Sequence, residues 1–248
     1  ILGIKIFLIE PNMVLGRANK FFLNFSRKLI CYSMNLINLP SGIDKKLVTI
    51  KPLIRKEYYE SNAYLKKDDI FTIIVIGGSQ GAKIFDKLLN ESFVSIAREV
   101  SLKIIHQTSE KNVEFLKNFY SQNDIESKVF SFDHNLNEIL NQGDLCITRA
   151  GASSLAELSF LNLPFVAIPL PSSKDNHQYE NAKYYQDQGC CWIIDQKSFN
   201  EQKFEKFLLK LINKSDDYIM KKNNLQKLNY QNTWNNVNQK LLEIINEN

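Results

Sequence analysis

Residues 144–157, Asp-Leu-Cys-Ile-Thr-Arg-Ala-Gly-Ala-Ser-Ser-Leu-Ala-Glu, read as a buried strand that breaks into a turn of small side chains and restarts as a helix. Such a turn suits a diphosphate. Small side chains over residues 150–154 let backbone N–H groups approach an anion, and the start of a helix carries about half a positive charge. Glu157 then falls where a ribose would lie, since one carboxylate can accept hydrogen bonds from two vicinal hydroxyls. Together the loop and the acid point to a nucleotide. An ordinary strand-to-helix turn with a surface glutamate would carry the same letters.

Two further stretches have chemistry of the same kind. Gly77-Gly78-Ser79-Gln80-Gly81-Ala82 follows a β-branched run and opens a helical pattern, a placement that favours an anion, with the Ser79 hydroxyl available to a phosphate. It matches neither G-x-G-x-x-G nor the P-loop, because no Lys-Ser or Lys-Thr pair closes it. A glycine-rich turn required only for backbone geometry remains open. The segment Pro171-Ser-Ser-Lys-Asp-Asn-His-Gln-Tyr-Glu-Asn-Ala182 is dense in side chains that could bind several hydroxyls at once, as sugar recognition needs. A solvated polar loop is the alternative.

The elements around these stretches alternate. Strands are expected over 71–76, 103–107, 128–132, 144–148, 165–168 and 191–194, with helices over 84–100, 110–120, 135–142 and 176–188 between them. Strands separated by helices of this length imply an α/β fold with a doubly wound parallel sheet, whose ligands gather at the carboxyl ends of the strands. Gly189 is placed to close the helix before it. Ahead of this unit lie a strand at the start of the chain, a helix over 17–30 with basic residues between Phe21, Phe22, Phe25 and Leu29, and a short strand over 47–50. The expected division is an N-terminal part over 1–52, a linker over 53–69, a ligand-binding unit over 70–228 and a final helix over 229–248 packing back on the N-terminal part.

The chain has 248 residues, a net charge of +4 and ordinary globular proportions of 44% hydrophobic and 23% charged residues. No aromatic-interleaved basic patch marks a nucleic-acid site. Four cysteines, Cys31, Cys146, Cys190 and Cys191, show no C-x-x-C spacing, and the three histidines lack metal-ligand spacing, so neither a metal site nor a disulfide framework is expected. No apolar run reaches the roughly 18 residues of a membrane span. The opening Ile-Leu-Gly-Ile-Lys-Ile-Phe-Leu-Ile lacks the features of a signal peptide and reads as a strand entered in mid-domain, as in a fragment lacking its N-terminal part.

The order Gly-Gly-Ser-x-Gly-Ala, His106-Gln-Thr, Arg149-x-Gly-Ala-x-x-x-x-Glu157 and Asp175-x-His-Gln-x-x-Asn-Ala182 resembles the MurG family of peptidoglycan glycosyltransferases. The resemblance covers nearly the whole chain. It implies a GT-B fold of two facing Rossmann-like domains, here the C-terminal domain plus the end of its partner. UDP-N-acetylglucosamine would be held mostly by the C-terminal domain, and lipid I, an undecaprenyl-linked acceptor, by the other. In that reading Glu157 holds the ribose hydroxyls, Ala152, Ser153, Ser154, Leu155 and Ala156 form the diphosphate region, Ser79 meets a phosphate, and Gln178 and Asn181 read sugar hydroxyls.

Asn12 matches the last residue of the family's His-Glu-Gln-Asn turn, here Ile9-Glu10-Pro11-Asn12, and Arg55 the arginine after its Asn-Pro pair, here Lys51-Pro52-Leu53-Ile54-Arg55. Both resemble donor-binding positions. Asp133 stands where the family has isoleucine, at a position that meets uracil through its backbone. The resemblance further implies an inverting hexosyltransferase that needs no metal or cofactor and works at the cytoplasmic face of a bacterial inner membrane as a peripheral protein. Its catalytic base would lie upstream of Ile1, so the chain alone is expected to bind donor better than to turn it over. Two rivals stand beside it: a UDP-sugar transferase acting on another lipid such as diacylglycerol, and a non-catalytic nucleotide-sugar binding module.

Overall fold

The computed structural model describes residues 4–60, 69–78 and 83–247; Ser79 lies outside them. In chain order the elements are β1 (Phe7–Glu10), α1 (Arg17–Phe22), β2 (Lys28–Cys31), β3 (Leu47–Thr49), α2 (Lys56–Glu60), β4 (Phe71–Ile76), α3 (Phe85–Leu88), α4 (Asn90–Ala97), β5 (Leu102–Gln107), α5 (Val113–Gln122) and β6 (Glu126–Phe130). Then follow α6 (Leu136–Leu140), β7 (Leu145–Thr148), α7 (Ala152–Phe160), β8 (Phe165–Ala167), α8 (His177–Asp187), β9 (Cys191–Ile193), α9 (Glu201–Ile212), α10 (Asp216–Leu228) and α11 (Trp234–Asn246).

Among the described residues the strands form two parallel sheets, one in the order β1-β2-β3 and a larger one in the order β6-β5-β4-β7-β8-β9. The larger sheet is built from side chains apolar on both faces, as a sheet covered by helices on either side requires. Ile73 and Val75 of β4, Ile104 of β5 and Ile147 of β7 pack under α3, α4, α5 and α9. Their neighbours Ile74, Ile76, Ile105 and Cys146 face the other way, against α6, α7 and α8. A strand alternates its side chains between faces, so this one run of apolar residues supplies two cores.

The chain winds outward from β4 through β5 to β6, then returns to place β7 on the other side of β4. That reversal leaves a crevice between the carboxyl ends of β4 and β7, where the connections run off in opposite directions.

Several boundaries differ from the sequence expectation. The helix expected over 17–30 stops at Phe22, and Lys28–Cys31 is a strand between β1 and β3. Leu29 keeps helical spacing from Phe25, but Ser26 is extended, and its hydroxyl donates to the Leu23 carbonyl at 2.8 Å, which closes the helical segment. The helix expected over 84–100 is broken at Leu89 into α3 and α4. The strand expected over 128–132 begins two residues earlier, because Ile125 is buried and Phe132 is exposed. The helical tail divides into α9, α10 and α11 at turns where Lys214 and Gln231 take positive φ.

α11 lies on the smaller sheet. Its Ile244 and Leu241 pack with Phe7, Ile30, Tyr32 and Val48, and the Arg27 guanidinium donates to the Glu247 carbonyl at 2.7 Å.

Candidate functional site

A cavity of about 910 Å³ opens at the crevice between β4 and β7. Its walls are Gly77 and Gly78 after β4, Arg149 and residues 151–154 after β7, Leu170 after β8, Gln178 on α8, and Pro11 and Asn12 from the loop after β1. Gly78 has φ +80°, which an L side chain adopts only with strain, so glycine lets the chain turn off β4 here.

α7 starts in this cavity. Gly151 is extended and offers no side-chain cap, and the first turn of α7 contains no acidic residue, so its positive end is unopposed. The Leu155 N–H already donates to the Gly151 carbonyl at 3.0 Å, and Leu155 and Ala156 are buried. The anion-facing part of the expected diphosphate region is therefore Ala152, Ser153 and Ser154. Leu155 and Ala156 belong to the core instead: both are buried, Leu155 packs with Leu158 and the apolar residues under α7, and its N–H is already used inside the helix. Lys83, exposed on the cavity wall, and Arg149 add positive charge.

Arg149 also builds the site. Its guanidinium donates to the carbonyls of Ile168 at 2.9 Å and Pro169 at 3.2 Å and to Gln196 Oε1 at 2.7 Å, and it lies 5.0 Å from the centre of the Phe85 ring. Burial lowers its pKa from the ordinary value, yet it stays a cation at any physiological pH.

A smaller pocket of about 180 Å³ adjoins the cavity, sharing Gly78 and Ser154 with it. Ile76, Gln107, Phe130, Phe132, Asp133, Leu136 and Arg55 line it, all at or beyond the carboxyl ends of β4, β5 and β6 or on the linker. It is the size of a single flat ring system, with Ile76, Phe130, Phe132 and Leu136 offering apolar surface to a ring. Asp133 Oδ1 accepts from the Asn135 N–H at 2.9 Å, and Oδ2 lies 3.5 Å from the Lys128 ammonium. Its carboxylate is thus turned onto its own loop, which leaves the backbone at the pocket wall.

Glu157, one and a half turns into α7, is buried beside that pocket. Arg55 Nε donates to its Oε1 at 3.1 Å and the Tyr58 hydroxyl to its Oε2 at 2.9 Å, while the Arg55 Nη2 donates to the Tyr58 oxygen at 2.9 Å. Burial would lower the Arg55 pKa, but Glu157 and Tyr58 together more than offset this and the net shift is upward. The two residues that the resemblance assigns to donor binding, Arg55 and Glu157, are thus in direct contact. Tyr58 is an addition that no sequence motif marked.

Asn12 and Asn181 meet between the two sheets. Asn181 is buried, its oxygen accepts from the Met13 N–H at 2.9 Å, and its nitrogen donates to Asn12 Oδ1 at 3.0 Å and to the Ala150 carbonyl at 3.1 Å. Both amide hydrogens therefore point at protein acceptors. Contrary to the expectation of a sugar contact, Asn181 ties the β1 loop to the β7 turn, and Asn12 is the one on the cavity wall. Asn12 is held in turn by buried Glu10, whose carboxylate accepts from the Asn12 N–H and side chain, both at 3.1 Å, from the Gly16 N–H at 2.7 Å and from Asn19 at 2.9 Å. Gln178 lines the cavity with its oxygen accepting from the Leu170 N–H at 2.9 Å. Just before α8, Asp175 and Asn176 both take left-handed φ, a local strain that shapes the loop leading to Gln178.

The His106 motif is buried rather than exposed at the strand end. His106 Nδ1 lies 2.7 Å from the Tyr120 hydroxyl and Nε2 lies 3.4 Å from Asp86 Oδ1, while Asp86 Oδ2 accepts from Thr108 and Asn112, both at 2.7 Å. Burial would raise the Asp86 pKa, but hydrogen bonds from His106, Asn112 and Thr108 together hold it below the ordinary carboxylate value. A further cavity, about 660 Å³, lies between α11 and the residues at the ends of β2 and β3, Tyr32 and Thr49 to Pro52, apart from the crevice between β4 and β7.

Residues 72–236 match the glycosyltransferase family 28 C-terminal domain. An N-acetylglucosamine transferase of Pelagibacter ubique, whose name gives its acceptor as N-acetylmuramyl-(pentapeptide) pyrophosphoryl-undecaprenol, is 45% identical over the whole chain, which spans 70% of that relative. The transferase of the same name from Rickettsia bellii is 35% identical over 85% of the chain and 61% of its own length. Among solved structures, Acinetobacter baumannii MurG superposes with a TM-score of 0.78 at 24% identity, over 98% of this chain and 68% of that one. A rice enzyme, Os79, solved with UDP, shares the fold at a TM-score of 0.60 and 14% identity, over 84% of this chain and 51% of that one. Fold, cavity and domain match define a glycosyltransferase with a GT-B architecture. Within that class the chain belongs to the MurG family.

Proposed function

We propose that this chain supplies the donor-binding half of an inverting transferase that moves N-acetylglucosamine from UDP-N-acetylglucosamine onto lipid I, giving lipid II for peptidoglycan. The observation that carries the reading is that the two cavities adjoin at Gly78 and Ser154: a ring-sized pocket lined by Arg55, whose guanidinium holds the buried Glu157 carboxylate, opens onto the cavity where α7 starts. Uracil, ribose, diphosphate and sugar are joined in that same order.

Each group then has a partner of suitable chemistry. Uracil lies by the Asp133 backbone, ribose on Glu157, the diphosphate against the N–H groups of Ala152, Ser153 and Ser154, with Ser79 a further phosphate contact. The sugar extends toward Gln178 and Asn12. As the acceptor hydroxyl gives its proton to a general base and its oxygen attacks the anomeric carbon from the face opposite UDP, the bond to the diphosphate breaks and charge develops on the leaving oxygen. Fixed donors at the start of α7, with Lys83 and Arg149 nearby, stabilise that charge without reorganising. Asn181 and Glu10 act on Asn12, keeping the β1 loop over the sugar end.

The protein is further proposed to sit on the cytoplasmic membrane surface. No helix among the described residues is long and apolar enough to cross a membrane. Phe21, Phe22 and Phe25 are 70%, 47% and 69% exposed on α1 and the turn after it, with Arg17 and Lys20 on the same short helix, a combination that suits an anionic bilayer surface.

The test is transfer of labelled N-acetylglucosamine by protein carrying this chain, with lipid I and a diacylglycerol offered as acceptors. Labelled product from lipid I alone supports the reading. Product from diacylglycerol only, or from neither, overturns it.

A further inference from the structure

Glu157 can serve a ribose only if its carboxylate is held in one orientation, and a free glutamate loses side-chain freedom when it is fixed. In this structure two groups fix it in advance. One is Arg55, whose side chain is 52% exposed and joined to solvent. The other is Tyr58, which is 1% exposed and packs in the core under α7 and α8, so its hydroxyl has no freedom to wander.

The three groups make a closed set of hydrogen bonds: Arg55 donates to Tyr58, Tyr58 donates to Glu157, and Arg55 donates to Glu157 as well. Such a chain polarises each of its members. A carboxylate has about four acceptor positions. Arg55 and Tyr58 take one on each oxygen, which leaves one on each for two neighbouring hydroxyls. Burial and the nearby carboxylate both push the Tyr58 phenol well above its ordinary pKa, so it remains a donor at every working pH.

Tyr58 lies on α2, ahead of residue 72, where the family 28 domain begins. The acid of the nucleotide domain is therefore oriented from outside that domain, by the segment that joins the two sheets. We infer that Tyr58 is a positioning residue for Glu157, and that it sets how strongly the site prefers a ribonucleoside diphosphate over its deoxy counterpart. This inference rests on the proposed role of Glu157 as the ribose acid.

Calorimetric titration of the full chain with UDP and with 2′-deoxy-UDP tests it. Tyr58→Phe should weaken UDP by about tenfold, because binding must then fix a Glu157 side chain that is no longer held in advance, and 2′-deoxy-UDP by much less, so the preference between them shrinks. In a Glu157→Gln background the same Tyr58→Phe change should have no further effect on UDP. Equal weakening of both ligands, or an undiminished effect in the Glu157→Gln background, overturns the inference. Placing 3,5-difluorotyrosine at position 58 keeps the ring and changes its strength as a donor, so the preference shifts even if the phenylalanine variant does not fold; an unmoved preference again overturns it. Failure of the unaltered chain to bind UDP would instead overturn the proposed function itself.

Discussion

At the scale of single residues, Glu157 matters because of what already surrounds it. Its carboxylate meets Arg55 and Tyr58 next to the ring-sized pocket, so removing it takes away the partner of a guanidinium and, on the proposed reading, both ribose hydrogen bonds. Glu157→Ala is expected to weaken UDP-N-acetylglucosamine by about 1.5–3 kcal/mol in a calorimetric titration, and unchanged affinity would remove Glu157 from the ribose. Gln178→Ala should lower affinity for the sugar nucleotide more than for UDP. Equal losses would take Gln178 away from the sugar.

Residue types and spacing singled out Gln178 and the small-residue turn, which line one cavity, and Glu157, whose partner Arg55 lines the pocket adjoining it. They could not mark Tyr58, because a tyrosine three residues beyond an arginine carries no signal until the chain folds it under α7. Nor could they separate Asn12 from Asn181: two asparagines are equally able to bind a sugar, and only the folded chain shows that Asn181 is buried while Asn12 lies on the cavity wall.

At the scale of elements, the site depends on how the strand ends are held. Asp86 on α3 accepts from Thr108 and Asn112 in the loop after β5, and Gln107 of that strand lines the ring-sized pocket. Since the folded-state pKa of Asp86 lies below its unfolded value, its contribution to stability is complete above the ordinary carboxylate pKa and fades as pH falls through the lowered one. Asp86→Asn should therefore destabilise the protein by roughly 1–3 kcal/mol at neutral pH in urea unfolding, with the difference from the unaltered protein narrowing below about pH 4. A difference independent of pH would contradict this.

The alternation of strands and helices in the larger sheet is readable because its central strands are short apolar runs that feed both cores, β4 being β-branched from Thr72 to Ile76. β2 was not, since Leu29 happens to extend the helical spacing of Phe21, Phe22 and Phe25. Only pairing with β1 and β3, a contact distant in sequence, decides that it is a strand.

At the scale of the whole molecule, two sheets are joined by α2, by the Asn12–Asn181 contact and by α11 lying across the smaller sheet. The first sheet carries the exposed aromatic and basic residues of α1, and the second carries the cavity. One face can thus rest on a bilayer while the other binds a soluble nucleotide. Replacing Phe21 and Phe22 together by serine should weaken binding to anionic vesicles roughly tenfold or more in a sedimentation assay, and added salt should weaken the unaltered protein further. Vesicle binding untouched by both changes would place the membrane contact elsewhere.

The central claim is a sequence of seats along one rim: base, ribose, diphosphate, sugar. The most direct measurement is a crystal structure of the protein with UDP-N-acetylglucosamine bound. It should show uracil beside the Asp133 backbone, both ribose hydroxyls within about 2.5–3 Å of Glu157, and the diphosphate on the N–H groups of residues 152–154. A ribose turned away from Glu157, or a diphosphate bound anywhere but the start of α7, would contradict the account.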